Sequence, residues 1–372
     1  MPSTRVLDGA QRAAGDASSE DDAVGGELAA DPADPSAARD GRRRRRRLLT
    51  MVLVAVLAAA VVASLMLGSK TVPLGDVVSV LTGGGAGLED QGIIEARVAR
   101  TAVGLLVGAA LAVAGAAMQG LTRNPLADPG LLGVNAGASL AVVVAIAVFG
   151  VGSLTSYVWW AMAGAGIAAV AVHALAGLAG GGVTPLRLTL AGAALTAGLA
   201  SWSSGLLVSS KQSFDSFRFW QVGTIGGRGL DLVVTVLPFV LVGLAVVLLA
   251  VRQLNALSLG DDLARGLGEN LLLARGAVAV GVAMLCGAAT ALAGPIGFLG
   301  LVVPHVARFV VGPDHRRIIP VCLVVGPALL LAADVVGRLV AQPSEVQAGI
   351  MTAVVGVPFF IVLVRRGRMA SL

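Results

Sequence analysis

Asp334 and Arg338 stand four residues apart in ALLLAADVVGRLV, and Asp334 is the most deeply set acid in a chain that is 56% hydrophobic and 13% charged. On a helix that spacing puts both on one face, where a carboxylate within an apolar span can pair instead of standing alone. The pair suits a structural ion pair, or one step of a proton or ion relay. A relay needs further titratable groups along its route, and the sequence offers none. His173, His305 and His315 are scattered without metal-ligand spacing, and Cys286 and Cys322 sit in separate apolar runs, as small buried hydrophobes do. Lys70 follows Ser69 where a phosphate loop would need glycine. No nucleophile has a base beside it and no carboxylates cluster, so the residues predict a chain that is no enzyme and holds no metal or cofactor of its own.

The elements that place these groups are apolar. A soluble domain carries about 25% charged residues, so 13% charge with 50 glycines, two lysines and one tyrosine reads as a polytopic membrane protein. A crossing helix needs about 20 apolar residues. The all-α reading places ten candidates at 48–68, 99–118, 131–150, 157–178, 187–208, 231–251, 272–293, 299–311, 317–339 and 347–364, the eighth short and flanked by breakers. Residues 1–47 read as a disordered tail. Nine acids against three arginines precede position 42, and six consecutive arginines, Arg42 to Arg47, then reverse the sign. No folded basic surface accompanies that run, so nucleic acid is not the expected partner. Its place before the first span keeps this end in the cytoplasm. The long leader and the lack of a clear cleavage site make 48–68 an uncleaved first helix, not a signal peptide.

Ten crossings return the C-terminal tail, 368–372, to the cytoplasmic side. Arg123, Arg252, Arg265, Arg316, Arg365, Arg366 and Arg368 then fall inside, whereas Arg97, Arg100, Arg218, Arg228 and Arg338 lie on or near the outside, against the usual bias. An internal echo adds symmetry. GAALAVAG at 108–115 resembles GAATALAG at 287–294, and in each case a proline, Pro125 or Pro304, follows 17 residues after the first glycine. The copies begin in spans of opposite direction, the pattern of an inverted repeat.

Two polar breaks interrupt the apolar runs. GLTRNPLADPGLLG reads as a tight corner between the second and third spans. Pro125 and Pro129 stop the helix, Asn124 and Asp128 satisfy backbone donors, and Arg123 anchors the boundary. The longer break, within 252–271, has a helix–turn–helix rhythm, with Ser258 as a candidate cap and Gly260, Gly266 and Gly268 as turns. Leu263 and Leu267 form an apolar i,i+4 pair there, suited to a groove on a partner or to the membrane surface.

Four stretches carry a family resemblance: RVARTAVGLLVGAALAVAGAAMQGLTRNPLADPGLLGVNAG at 97–137, LNALSLGDDLARGLG at 254–268, GPIGFLGLVVPHVARFVVGPDHR at 294–316, and ADVVGRLVAQPSEVQAGIMTAVVGVPFF at 333–360. Over residues 48–367 the chain resembles the FecCD-type permeases, the membrane subunits of type II ABC importers for iron–siderophores, haem and cobalamin. The resemblance implies a ten-helix permease of the bacterial cytoplasmic membrane, paired with a second permease subunit as homodimer or heterodimer. Two cytoplasmic ATPase subunits carrying ATP and magnesium, an extracytoplasmic substrate-binding protein and a ferric siderophore as cargo complete the implied system. Haem, cobalamin or another metal chelate is the alternative cargo, and an ion-coupled secondary transporter the alternative of another class. The resemblance further implies that Leu259, Gly260, Leu263, Ala264, Gly266, Leu267 and Gly268 form the coupling element for the ATPase. By the same resemblance Arg97, Arg100 and Arg338 meet glutamates of the binding protein. The chain departs from the family's E-x-P-x-G pattern at SEVQAGI, where Gln347 and Ala348 stand.

Overall fold

The computed structural model describes residues 35–85, 87–178, 183–208 and 211–365. The acidic tail before residue 35 and the C-terminal tail 368–372 lie outside the described residues. In chain order the α-helices are α1 (Pro35–Met66), α2 (Leu74–Leu81), α3 (Leu88–Thr122), α4 (Val134–Ala147), α5 (Leu154–Leu178), α6 (Pro185–Val208), α7 (Lys211–Gln221), α8 (Leu230–Leu249), α9 (Val251–Ser258), α10 (Asp261–Gly266), α11 (Leu271–Ala293), α12 (Leu299–Val311), α13 (His315–Val340) and α14 (Ala348–Arg365), with one 3-10 turn at Pro129–Leu132. The chain divides into Met1–Leu49, whose described part is the first turns of α1, and Thr50–Leu372, which holds all the rest.

Among the described residues, seven helices are long and apolar enough to cross a membrane: Arg47–Met66 of α1, and α3, α5, α6, α8, α11 and α13. Three shorter apolar helices, Val134–Ala147, Leu299–Val311 and Ala348–Val362, fall where the sequence places its third, eighth and tenth spans. The third is shorter than expected because Pro129 starts a 3-10 turn and Gly133, at φ 70°, ends it before α4 can begin. At 14 residues α4 covers about 21 Å, less than the hydrocarbon thickness. A further feature is at the start. The backbone is already helical at Pro35, inside the segment read as a disordered tail, where proline suits a first helical position and alanine and arginine favour helix.

Helix α3 is the axis of the bundle: 78% of its apolar window is buried, against 6% for Arg47–Met66 and 11% for α6. Helices α11, α12 and α13 pack directly on it. The approach is close because glycines face one another. Gly108 of α3 lies against Gly326 and Pro327 of α13, and Gly115 against the backbone of Gly300 in α12. Pro304 lies inside α12 and cannot bond to the Gly300 carbonyl, which instead accepts from Gln119 Nε2 of α3 at 3.2 Å. The two prolines matched by the sequence echo thus differ in setting, because Pro125 lies in the turn after α3.

Candidate partner-docking and coupling sites

Three arginines gather at the end of the molecule where α1 and α13 stop and α3 begins. Arg97 donates through Nη1 to the carbonyls of Leu65 (3.0 Å) and Met66 (2.8 Å), and through Nη2 to that of Lys70. Arg338 donates through Nη1 to the carbonyls of Ser64 (3.1 Å) and Leu67 (2.8 Å), and through Nη2 to Ser64 Oγ (3.2 Å). The last carbonyls of a helix lack intrahelical partners and carry its negative dipole end, so both cations seal the C-terminus of α1. Their exposures, 7% for Arg97 and 2% for Arg338, match that internal work.

Asp334 is wholly buried and takes two arginines. Arg100 grips it with a fork, Nε to Oδ2 at 2.9 Å and Nη2 to Oδ1 at 2.7 Å. Arg338 Nε lies 3.1 Å from Oδ2, within ion-pair range, yet that nitrogen is not aligned for a hydrogen bond. The remaining edge of Arg100 meets Glu345, Nη1 to Oε2 at 2.7 Å. Arg100 and Glu345 were not linked by sequence reasoning, because 245 residues separate them and no helical spacing announces the contact.

The α9–α10 segment lies at the opposite end, beyond the C-terminus of α3. Leu259, Leu263 and Leu267 stand 59%, 62% and 59% exposed, while Ala264 is fully buried and faces the bundle. Gly260 (φ 107°) and Gly268 (φ 81°) occupy conformations that a side chain would strain, and they bracket α10. Gly266 closes α10 itself. Ser258 does not cap α10. It ends α9, its hydroxyl donating to the Asn255 carbonyl, and Gly260 takes the cap position instead.

Asp261, the first residue of α10, is held from two sides. Arg123 Nη2 reaches its Oδ1 at 2.9 Å, and Arg275 Nη2 reaches Oδ1 at 2.8 Å and Oδ2 at 2.9 Å. Arg275 also donates to the Val183 carbonyl at 2.8 Å. One carboxylate therefore ties the leucine-bearing segment to the end of α3 and the start of α11. A second tie joins α9 to α13, with Asn255 Nδ2 donating to Asp314 Oδ1 at 2.8 Å and the His315 backbone N–H donating to Asn255 Oδ1 at 2.9 Å. Sequence reasoning missed Asp261, Arg275, Asn255 and Asp314. The residues were visible, their partners were not.

At the corner, Arg123 adopts the left-handed conformation (φ 51°) that ends α3. Asn124 Oδ1 accepts the Leu126 N–H at 2.9 Å, and Asp128 Oδ1 accepts the Gly130 N–H at 2.8 Å, with Pro125 and Pro129 following each turn residue. Burial raises the Asp128 pKa from its ordinary value, although the Gly130 N–H pulls the other way. Among the described residues no cluster of three or more His, Cys, Asp or Glu could hold a metal ion.

The profile described as the FecCD transport family matches residues 53–366. The chain is 45% identical over 303 residues, 82% of its length and 90% of the relative's, to the ferric enterobactin transport system permease protein FepD of Escherichia coli (strain K12). It is 43% identical over 278 residues, 75% of this chain and 72% of the relative, to the iron(3+)-hydroxamate import system permease protein FhuB of Bacillus subtilis (strain 168). It is also 41% identical over 273 residues, 72% of each chain, to the cobalamin import system permease protein BtuC of Halobacterium salinarum. Among solved structures, a metal-chelate type ABC transporter in an inward-facing conformation superposes with a TM-score of 0.73 at 29% identity, covering 85% of this chain and 97% of that one.

Proposed function

The chain belongs to the FecCD transport family, and we propose from this that it is the permease subunit of an ATP-driven importer that passes a ferric siderophore into the cytoplasm. The subunit itself catalyses nothing. The cargo assignment rests on the ferric enterobactin, hydroxamate and citrate systems to which the chain is similar. Cobalamin remains the second reading, because a cobalamin permease stands at a comparable identity. Titrating the cognate binding protein with ferric enterobactin, ferric hydroxamate and cobalamin separates the two readings.

In this reading the seven long and three shorter apolar helices make ten crossings, and the echo between α3 and α11 is the trace of two inverted halves. Both termini lie in the cytoplasm, so the α9–α10 end faces inward and the arginine end outward. A second permease subunit pairs with the first. Two ATPase subunits grip α9 and α10, and a binding protein sits over Arg100, with Arg97 and Arg338 holding the surface in shape beneath it.

The observation that carries the reading is the row of Leu259, Leu263 and Leu267, exposed on a segment that Asp261 and Asn255 hold rigidly against three long helices. Apolar side chains presented on a braced element fit a groove that must deliver force. Leu263→Asp places a charge in that contact. The expected outcome, measured on the complex reconstituted in liposomes, is normal membrane insertion with loss of ATPase stimulation by loaded binding protein. Transport at the wild-type rate would remove the coupling assignment.

A further inference from the structure

The three arginines at the α1 end are unequally open. Arg97 and Arg338 spend their donors on main-chain carbonyls and are buried. Arg100 fixes itself to Asp334 through Nε and Nη2, which leaves Nη1 as its outward edge. That edge is already covered by Glu345, whose side chain is 40% exposed against 12% for Arg100 and none for Asp334. Glu345 lies in the loop between α13 and α14, three positions before α14 starts at Ala348. Three cations and two carboxylates leave the cluster one positive charge in excess, and Glu345 is its sole acid within reach of solvent.

We propose that Glu345 is an internal stand-in for a carboxylate of the docking partner, holding Arg100 Nη1 in the resting permease and yielding it when an acidic side chain of the binding protein arrives. The proposal rests on the docking reading above and adds the residue that sets the strength of docking. Exchanging one carboxylate for another leaves Arg100 hydrogen-bonded throughout, so no buried guanidinium is stranded during the swap. The net gain is then the difference between two similar, partly exposed ion pairs, which makes docking weaker than it would be on an Arg100 with an open edge. A displaced Glu345 also stays near the incoming acid and repels it, favouring release. The same loop leads into α14, where the Gly349 N–H donates to the Gly223 carbonyl at 3.0 Å, so the Glu345 loop is tied to the segment between α7 and α8.

The test measures the Kd of the cognate binding protein for the permease–ATPase complex in nanodiscs, using wild type, E345Q, R100K and the double variant. R100K keeps a cation beside Asp334 while losing the fork, so the fold has its charge balance. E89Q, which removes an exposed acid paired with Lys70 and not with Arg100, controls for a general change in surface charge. The expected result is tightening by roughly 1.5- to 5-fold in E345Q, weakening in R100K, and no gain from E345Q in the R100K background. If R100K weakens docking while E345Q leaves it unchanged or weaker, the stand-in falls and the docking site remains. If R100K docks as wild type, the docking site falls and the stand-in with it. Tightening by E345Q that survives in R100K, or that E89Q reproduces, reduces the effect to charge steering and overturns the proposal.

Discussion

Asp128 is a carboxyl whose surroundings oppose its charged form. Burial raises its pKa, and the single N–H of Gly130 does not compensate. A carboxyl whose folded pKa is raised binds more protons in the native state than in the unfolded state. Stability therefore falls as pH climbs from the unfolded value, about 3.9, through the folded one, and stays lower above it. Asp128→Asn keeps the oxygen that accepts from Gly130 and removes the charge. The expected outcome is a higher midpoint of thermal inactivation at pH 7 than wild type, with the difference closing as the pH approaches 4, read by fluorescence-detected size exclusion of the detergent-solubilised protein. A gap that is constant with pH would remove titration of Asp128 as its cause. Legibility at this scale followed distance along the chain. Asp334 and Arg338 stand a helical turn apart and could be paired by counting, whereas Arg100 reaches Asp334 across 234 residues and could not. The role of the buried arginines was obscured for a related reason. Basic residues on the disfavoured side of a membrane suggest an outside partner, but Arg97 and Arg338 also have main-chain carbonyls of α1 to satisfy, and no side-chain pattern records an unpaired carbonyl.

Among the elements, α10 is too short to hold itself. Six residues give it scarcely two turns, below the length at which a helix is stable alone, so its orientation depends on what grips its ends. Asp261 supplies that grip by joining Arg123 and Arg275. Asp261→Asn leaves Arg275, whose side chain is 10% exposed, without its carboxylate, a loss of about 1–3 kcal/mol. The exposed leucines remain, but their support loosens. The expected outcome is a complex that still assembles with its ATPase and retains basal hydrolysis, while transport falls several-fold. Transport and hydrolysis falling in equal proportion would instead indicate failed assembly. The element itself was legible, since glycines at 260 and 268 around an apolar i,i+4 pair mark a short helix between turns. Its cap was misplaced because Ser258 and Gly260 both suit a helix start, and the turn after α9 consumes the serine first. The same competition shortened α4, where Pro129 and Gly133 claimed residues that hydropathy alone assigned to the span.

The whole bundle is held by the closeness of its backbones, and this fixes where it tolerates a methyl group. A Cβ on Gly115 would fall on the carbonyl of Gly300, and one on Gly108 would meet the backbone of Gly326 and Pro327. Neither neighbour can move aside without shifting α12 or α13 off α3. Gly166 of α5 offers the reverse case, because nothing lies within 4 Å of an added Cβ. It borders a cavity of about 580 Å³ lined by Met162, Phe239, Val280 and Met284 among others. Composition alone does not tell such glycines apart, since a run rich in alanine and glycine spaces small residues closely whether or not they touch anything. The structure separates them, and the separation can be measured. Gly115→Ala should lower the midpoint of thermal inactivation, overpacking of this kind costing about 1–3 kcal/mol, and should reduce the amount of folded permease recovered from membranes. Gly166→Ala should leave folding intact or improve it by about 0.5–1 kcal/mol, the helix preference for alanine over glycine. Equal behaviour of the two variants would mean that contact with α12 does not set the stability of α3, and that the glycines along this helix reflect composition instead of packing.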